Sequence, residues 1–422
     1  MKVLVVGGGG REHAIVKSLS TSQKISKLYA APGNGGIAEL AECVPIKAVD
    51  VEAMTQFALN NHIDYVVVAP DDPLCLGMVD ELNKNGIPAF GPTKAAAQIE
   101  GSKSFSKDLM KRYNIPTAQC EIFEDSSKAL EYVRKMNSPL VIKADGLALG
   151  KGVILCDDVK QAEKAVIEMM EERKFGESGK RIVIEEYLYG PEVTVLSFSD
   201  GNTVVPMVSS MDHKRALNGD KGLNTGGMGV IAPNPYYTDE IATLCMNTIF
   251  QPTINAMKKE GIPFKGCLYF GLMLTNNGPK VIEYNCRFGD PETQAILPLL
   301  ESDLFSIMQS TTNGTLSEQT VSFSSKSSCC VVLASGGYPE SYQTGKKIDG
   351  IADAEKIASV YHAGTTVNQN REYFTAGGRV LAVSATGTTL KLAIEQAYKA
   401  TEYISFENLH KRDDIGHSAI NA

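Results

Sequence analysis

KVLVVGGGGREH, residues 2–13, runs an apolar stretch, Val3 to Val6, into four glycines and then into charge. A strand that passes through glycines into a helix is how a parallel α/β sheet begins, and the following residues repeat the pattern. KLYAAP (27–32), YVVVAP (65–70) and IPAFGP (87–92) are further apolar runs closed by Gly or Pro. Between them, VEAMTQFALNN (51–61) has a helical period, with Val51, Met54, Phe57 and Ala58 on one side. Residues 1–102 are expected to form an N-terminal parallel α/β domain.

The opening glycines do not spell a dinucleotide fingerprint. G-x-G-x-x-G/A puts Glu12 at its third small position when counted from Gly7, and His13 when counted from Gly8. The second strand also lacks the acid that would hold a ribose hydroxyl, offering Ala30, Ala31 and Pro32. What survives is a phosphate loop at a helix N-terminus. Arg11 would add a charge-assisted contact, and Glu12 would meet an amine or hydroxyls. A tight turn without any ligand accounts for the glycines equally well.

From about Gly101 the texture changes. SKSFSKDLMKRYNIP (102–116) is a helix with Phe105, Leu109 and Tyr113 spaced by four, stopped before Pro116. LVIKADG (140–146) and GVILC (152–156) are two strands around the glycine-rich ADGLALGKGV (144–153). That loop is not a Walker A motif, because Gly146 and Gly150 enclose three residues and Gly152 follows Lys151. A glycine loop between strands folds over a triphosphate like a lid, with Lys143 and Lys151 reaching phosphate oxygens; a plain hairpin is the simpler alternative. DDVKQAEKAVIEMM (157–170) is a helix with Val159, Ala162, Val166 and Met169 on one face, capped by Asp157 or Asp158. RIVIEEYLYGPEVTVLSFSDGNTVV (181–205) supplies more strands.

KVIEYNCRFGDPETQ (280–294) carries the most chemistry. Strand alternation sets Val281, Glu283 and Asn285 on one face and Ile282, Tyr284 and Cys286 on the other. Glu283 and Asn285 together are two hard oxygen ligands suited to magnesium. Arg287 would continue that face and stabilise charge on a transferring phosphoryl group. MDHKRALNGDKGLNTGGMG (211–229) is a long polar loop bringing Asp212, Lys214 and Arg215 together, with backbone donors at Thr225–Gly229. A solvated surface loop competes with that reading. The six histidines show no metal-ligand spacing, and G-x-S-x-G is absent.

Beyond the Ser-rich SFSSKSS (322–328), CCVVLASGGYP and GGRVLAVSATG are strand-then-glycine units. LKLAIEQAYKATEYI (390–404) is a helix with Leu392, Ala393, Ala397 and Ala400 on one side. A chain of 422 residues calls for two to four domains. A formal charge of −8 argues against nucleic acid or anionic lipid as the main partner. Nine cysteines without a C-x-x-C pattern, no leader-like apolar segment and no membrane-length apolar run predict a cytoplasmic location and reduced thiols.

The ordered set GGGGREHA, APGNGG, FGPTKAAAQIEGSKSFSK, VIKADGLALGKGV, VIEEYLYGPEV, DHKR, NTGGMG, VIEYNCRFGDPETQ, SGGYP, HAGT and GGRVL spans the chain. It resembles the phosphoribosylamine–glycine ligase family, ATP-grasp enzymes of purine synthesis. The resemblance implies a multidomain α/β and α+β body. An N-terminal parallel α/β domain (1–102) would precede an ATP-grasp fold in two subdomains (103–325, lid about 120–192), followed by a C-terminal α+β domain (326–422). It implies ATP held by Lys103, Lys143, Gly150, Lys151 and Gly152 at the phosphates, Glu185, Glu186 and Leu188 at the adenine, and Glu192 at the ribose. Glu283 and Asn285 would hold Mg2+ or Mn2+.

By the same resemblance Gly9, Gly10, Arg11, Glu12 and Asn34 would bind phosphoribosylamine, with Thr225, Gly226, Gly227 and Asp290 as further substrate contacts. Arg287, Asp212 and Lys214 would be catalytic. The implied reaction joins glycine to 5-phospho-β-D-ribosylamine through glycyl phosphate, in a monomer acting on small molecules. The strand before Glu283, CLYFGLMLTNNG, lacks the extra acid that many ATP-grasp enzymes place there. A biotin-carboxylase-like enzyme would instead show bicarbonate-dependent ATPase activity. A nucleotide sensor would bind ATP and release no ADP.

Overall fold

In the computed structural model, which describes residues 1–147 and 152–420, the early apolar runs become a five-stranded sheet. Its spatial order is Glu42–Cys43, Lys27–Pro32, Lys2–Gly7, Tyr65–Val68 and Ala89–Phe90, and every pair is parallel. Val3 and Val5 pack into one hydrophobic core and Leu4 and Val6 into another, so the first strand is buried on both faces. The strand order reverses beside Lys2–Gly7, and the crevice at such a switch point is where ligands of doubly wound sheets sit. Gly7 has φ +118°, which a side chain would strain. A Cβ on Gly8 would lie 2.3 Å from the Gly33 carbonyl oxygen, so the loop packs tightly against the turn after the second strand.

The two strands expected around the second glycine loop are present and pair. Leu140–Ala144 pairs antiparallel with Val153–Cys156 inside a four-stranded sheet ordered Cys120–Phe123, Ile182–Glu186, Leu140–Ala144, Val153–Cys156. Helices Ser126–Met136 and Val159–Val166 cover it around a small separate core that includes Val133, Ile142, Val166 and Ile184. Asp158, rather than Asp157, caps the second helix by accepting from the Gln161 N–H at 2.8 Å. Gly150 and Lys151, expected at the lid tip, lie outside the described residues.

A second four-stranded antiparallel sheet runs Val204–Pro206, Glu192–Asp200, Lys265–Thr275, Gly278–Asn285. Here the expected alternation fails at one residue. Gly271 faces Glu283 and Leu272 faces Val281, leaving Ile282 as a bulge. One inserted residue reverses the phase of a period-two pattern. Val281 therefore joins Tyr284 and Cys286 in the core, and Glu283 and Asn285 face the other way.

The stretch 211–229, expected as one polar loop, forms short strands instead. Arg215–Leu217 and Lys221–Asn224 make a hairpin, while Met211–Asp212 and Gly229–Ala232 join a large sheet. That sheet continues through Ser327–Ser335, Arg379–Gly387 and Ser359–His362, so strands on both sides of residue 326 share it. Such strands are too short for a legible period, and Gly229–Ala232 finds its second partner, Ser327–Ser335, about a hundred residues away. Helix Leu390–Thr401 buries Ala393, Ile394, Ala397 and Ala400, but Leu392 is half exposed, contrary to the expected face. Among the described residues no helix is long and apolar enough to cross a membrane, and all nine cysteines are free.

Candidate active site

Helix Gly10–Leu19 starts at the crevice, and its first turn is internally fastened. Glu12 folds back to accept from the Gly9 N–H at 2.6 Å and from Arg11 Nε at 2.5 Å. Arg11 Nη1 also donates to the Phe288 carbonyl at 3.1 Å, joining the glycine loop to the segment after the bulged strand. Glu12 thus serves the loop itself rather than standing free for an amine. Asn34 is equally engaged. Its amide donates to Gly8 O (2.9 Å) and His362 O (2.7 Å), and its oxygen accepts from the Gly36 and Ile37 N–H groups.

Asp290 and Gln294 lie directly against these glycines. A Cβ on Gly9 would be 3.5 Å from Asp290 Oδ2, and one on Gly10 would be 2.6 Å from Gln294 Nε2. Gln294 Nε2 donates to Asp290 Oδ1 at 2.7 Å. Burial works against the Asp290 charge, yet Arg379 and Arg11 hold the carboxyl below its ordinary range.

Opposite stands a basic group built on the lid and its hinge. Lys143 Nζ lies 2.9 Å from Glu185 Oε1 and donates to Ile282 O at 2.8 Å. Glu185 Oε2 lies 3.1 Å from Lys107, a lysine that the sequence did not single out. Lys107 also donates to Thr117 Oγ1 (2.8 Å), which in turn bonds the Val281 carbonyl. All three charged side chains are at most 4 % exposed. Lys103 donates to Gly146 O at 3.2 Å, and burial lowers its pKa despite nearby Glu283. Lys103 and Lys107 are one helical turn apart, which was the available signal for Lys107. Glu186 accepts from Lys280 (2.7 Å) and the Gln119 N–H (3.0 Å) at the hinge. Leu188 is half-buried beside it, and Gly152 O accepts from the Ala144 N–H at the lid base.

Glu283 faces this group from the bulged strand. Burial would raise its pKa, but Lys214, Lys143 and Lys103 outweigh that and lower it. Lys214 Nζ is 3.6 Å from Glu283 Oε1 and 3.3 Å from Glu192 Oε2; Glu192 chiefly raises the lysine's pKa. Neither Glu283 nor Asn285 has a side-chain hydrogen bond among the described residues, so both keep free oxygens. Those oxygens suit a hard divalent cation. Among the described residues no three His, Cys, Asp or Glu side chains converge as a metal cluster, so phosphate oxygens and water would complete the shell.

Arg287 lies 3.4 Å from Glu100 and 3.8 Å from Asp71, which outweigh its burial and raise its pKa. Asp212 is half-buried, and desolvation of its carboxyl, then the charge of Glu292, raise its pKa well above the usual range. Its Oδ1 has no hydrogen-bond partner among the described residues. Gly227 (φ +111°) packs between this oxygen and Pro291, where a Cβ would meet Pro291 Cδ at 2.4 Å. Thr225 Oγ1 donates to Lys214 O and accepts from the Gly227 N–H, and the Gly226 N–H donates to Tyr338 OH. Glu100, Glu292, Tyr269 and Arg379 all border the cleft without having been marked from sequence.

A lid sheet hinged to a second antiparallel sheet, with buried lysines facing a Glu–Asn pair across the cleft, defines an ATP-grasp enzyme. Three family models match in order: the N domain (residues 1–100), the ATP-grasp (A) domain (101–293) and the C domain (328–418) of phosphoribosylglycinamide synthetase. A phosphoribosylamine–glycine ligase from Caldanaerobacter subterraneus subsp. tengcongensis is 48 % identical over 415 residues, covering 98 % of this chain and 99 % of that one. The solved phosphoribosylamine–glycine ligase of Thermotoga maritima superposes with a TM-score of 0.86 at 32 % identity, covering 98 % of this chain and 100 % of that one. A biotin carboxylase from Campylobacter jejuni shares the fold alone, with a TM-score of 0.75 at 14 % identity and coverage of 100 % and 95 %. The chain belongs to the phosphoribosylglycinamide synthetase family, ATP-grasp ligases of purine biosynthesis.

Proposed function

We propose that this chain joins glycine to 5-phospho-β-D-ribosylamine, with ATP converted to ADP and phosphate, through glycyl phosphate. The observation that carries this is the pair Glu283 and Asn285, without side-chain hydrogen bonds among the described residues and faced by Lys103, Lys143 and Lys214. A glycine carboxylate oxygen attacks the γ-phosphorus, ADP leaves, and the ribosylamine nitrogen then attacks the acyl carbon and expels phosphate. No protein nucleophile is needed, so the residues act by positioning and charge.

Lys103 and Lys143, with Lys151 of the lid, bind phosphate oxygens. The segment Glu185–Leu188 lies along the adenine and Glu192 reaches the ribose. Glu283 and Asn285 would hold Mg2+ or Mn2+, which supplies charge neutralisation at the transferring phosphoryl group. Arg287, kept charged by Glu100 and Asp71, faces the same charge. The helix N-terminus at Gly9 and Gly10, with Arg11 aimed by Glu12, takes the substrate phosphate. Asn34, Asp290 and Thr225–Gly227 line that side, and Asp212 and Lys214 stand between the two halves.

The chain works on small molecules in the cytoplasm, as a monomer. ADP release measured with all three substrates, then omitting each, tests this reading. Release that needs both glycine and the ribosylamine supports it; release that needs bicarbonate instead contradicts it.

A further inference from the structure

Arg379 begins the C-terminal strand Arg379–Gly387, yet its side chain leaves that domain. Nη1 donates to Gly226 O at 2.6 Å, to Asp290 O at 2.8 Å and, more weakly, toward Gly227 O at 3.4 Å. Nη2 lies 3.3 Å from the Asp290 carboxylate. The contact is close-fitting, since a Cβ on Gly226 would come within 3.0 Å of the guanidinium carbon. One side chain thus joins two loops far apart in sequence, 225–227 and 289–291. The first lies on Asp212, and the second presents Asp290 to Gly9.

We propose that Arg379 is a positioning residue for the ligation, holding the Asp290 carboxylate and the Thr225–Gly227 loop in register with the glycine loop. This rests on phosphoribosylamine occupying that side of the cleft. The fork is the essential feature: a planar guanidinium serves two carbonyls and a carboxylate at once, and a single ammonium does not. The described side chains assigned to ATP come from the lid, its hinge and helix Lys103–Arg112, and none of these makes a hydrogen bond or ion pair with Arg379. Its loss should therefore fall on one substrate.

The test uses R379K and R379M in the full chain, with steady-state ADP release measured while each substrate is varied, and thermal unfolding in parallel. Displacing a substrate-facing group by about an ångström costs roughly 100-fold, so R379M should lose about that in kcat/KM for phosphoribosylamine. KM for ATP should stay within about twofold of the wild type. R379K keeps stem and charge and carries the test if R379M fails to fold; it should still lose about 10-fold or more. Guanidinium ion added to R379A at sub-denaturing concentration should restore part of the rate. The inference is overturned if R379K matches the wild type for phosphoribosylamine, or if ATP and phosphoribosylamine suffer alike. Wild-type protein that releases no ADP with glycine and phosphoribosylamine would overturn the underlying substrate assignment instead.

Discussion

Replacing Glu185 by Gln removes the acid that pairs two buried lysines, Lys107 at 3.1 Å and Lys143 at 2.9 Å. At an effective dielectric of about 20, each contact near 3 Å corresponds to roughly 5 kcal/mol of bare Coulomb energy. Desolvation of the ions offsets most of that, and the measured cost of breaking a buried pair is about 3–5 kcal/mol. Glu185→Gln should therefore lower the unfolding free energy by about 3 kcal/mol or more in urea titration. Adding Lys107→Met removes one of the stranded charges, so the double variant should be more stable than Glu185→Gln alone by at least about 1 kcal/mol. A single variant within about 1 kcal/mol of the wild type would refute the claim that these charges depend on one another.

Glu283→Gln should abolish turnover while the unfolding transition stays near that of the wild type, because a hard metal ligand is lost from an open face. Wild-type-like ADP release at saturating magnesium would remove Glu283 from the site. Acid should loosen the join between the N- and C-terminal domains. His13 Nδ1 accepts from the His362 N–H at 2.8 Å, and burial lowers the His13 pKa to about 3 and that of His362 to about 4. The unfolded chain takes up these protons below about 6.5 and the folded chain does not, so stability falls as pH drops from there toward 4. Each histidine contributes up to about 1.4 kcal/mol per pH unit in that window. His13→Asn keeps an acceptor and should flatten the slope by that amount; an unchanged slope of urea midpoints would show that His13 titrates freely.

The doubly wound sheet was legible because burial on both faces demands uninterrupted apolar runs, and Val3–Val6 and Tyr65–Val68 are such runs. The lid hairpin was legible for a similar reason, with two apolar strands bracketing a glycine loop. Glu283 and Asn285 were found on the strand face expected to be functional, but for a partly wrong reason, since the bulge at Ile282 moved Val281 to the core. A bulge leaves no mark on a period-two pattern until the partner strand is known. Lys107 and Arg379 were missed because a lone charge in a helix or at a strand start looks like surface. Only the fold brings Lys107 to Glu185, and Arg379 to Gly226 and Asp290. The strands within 211–229 were hidden because they are two to four residues long and rich in glycine and polar side chains, and Gly229–Ala232 is fixed by Ser327–Ser335, far along the chain.

Glycine's own carboxylate accepts the γ-phosphoryl group in the proposed reaction, and the fate of its oxygens reports on that step. Glycine labelled with heavy oxygen in its carboxylate is turned over with ATP and freshly made phosphoribosylamine, and the phosphate is weighed by mass spectrometry. The acyl-phosphate route carries one labelled oxygen into each phosphate released. Phosphate that emerges unlabelled while glycinamide ribonucleotide forms would contradict it.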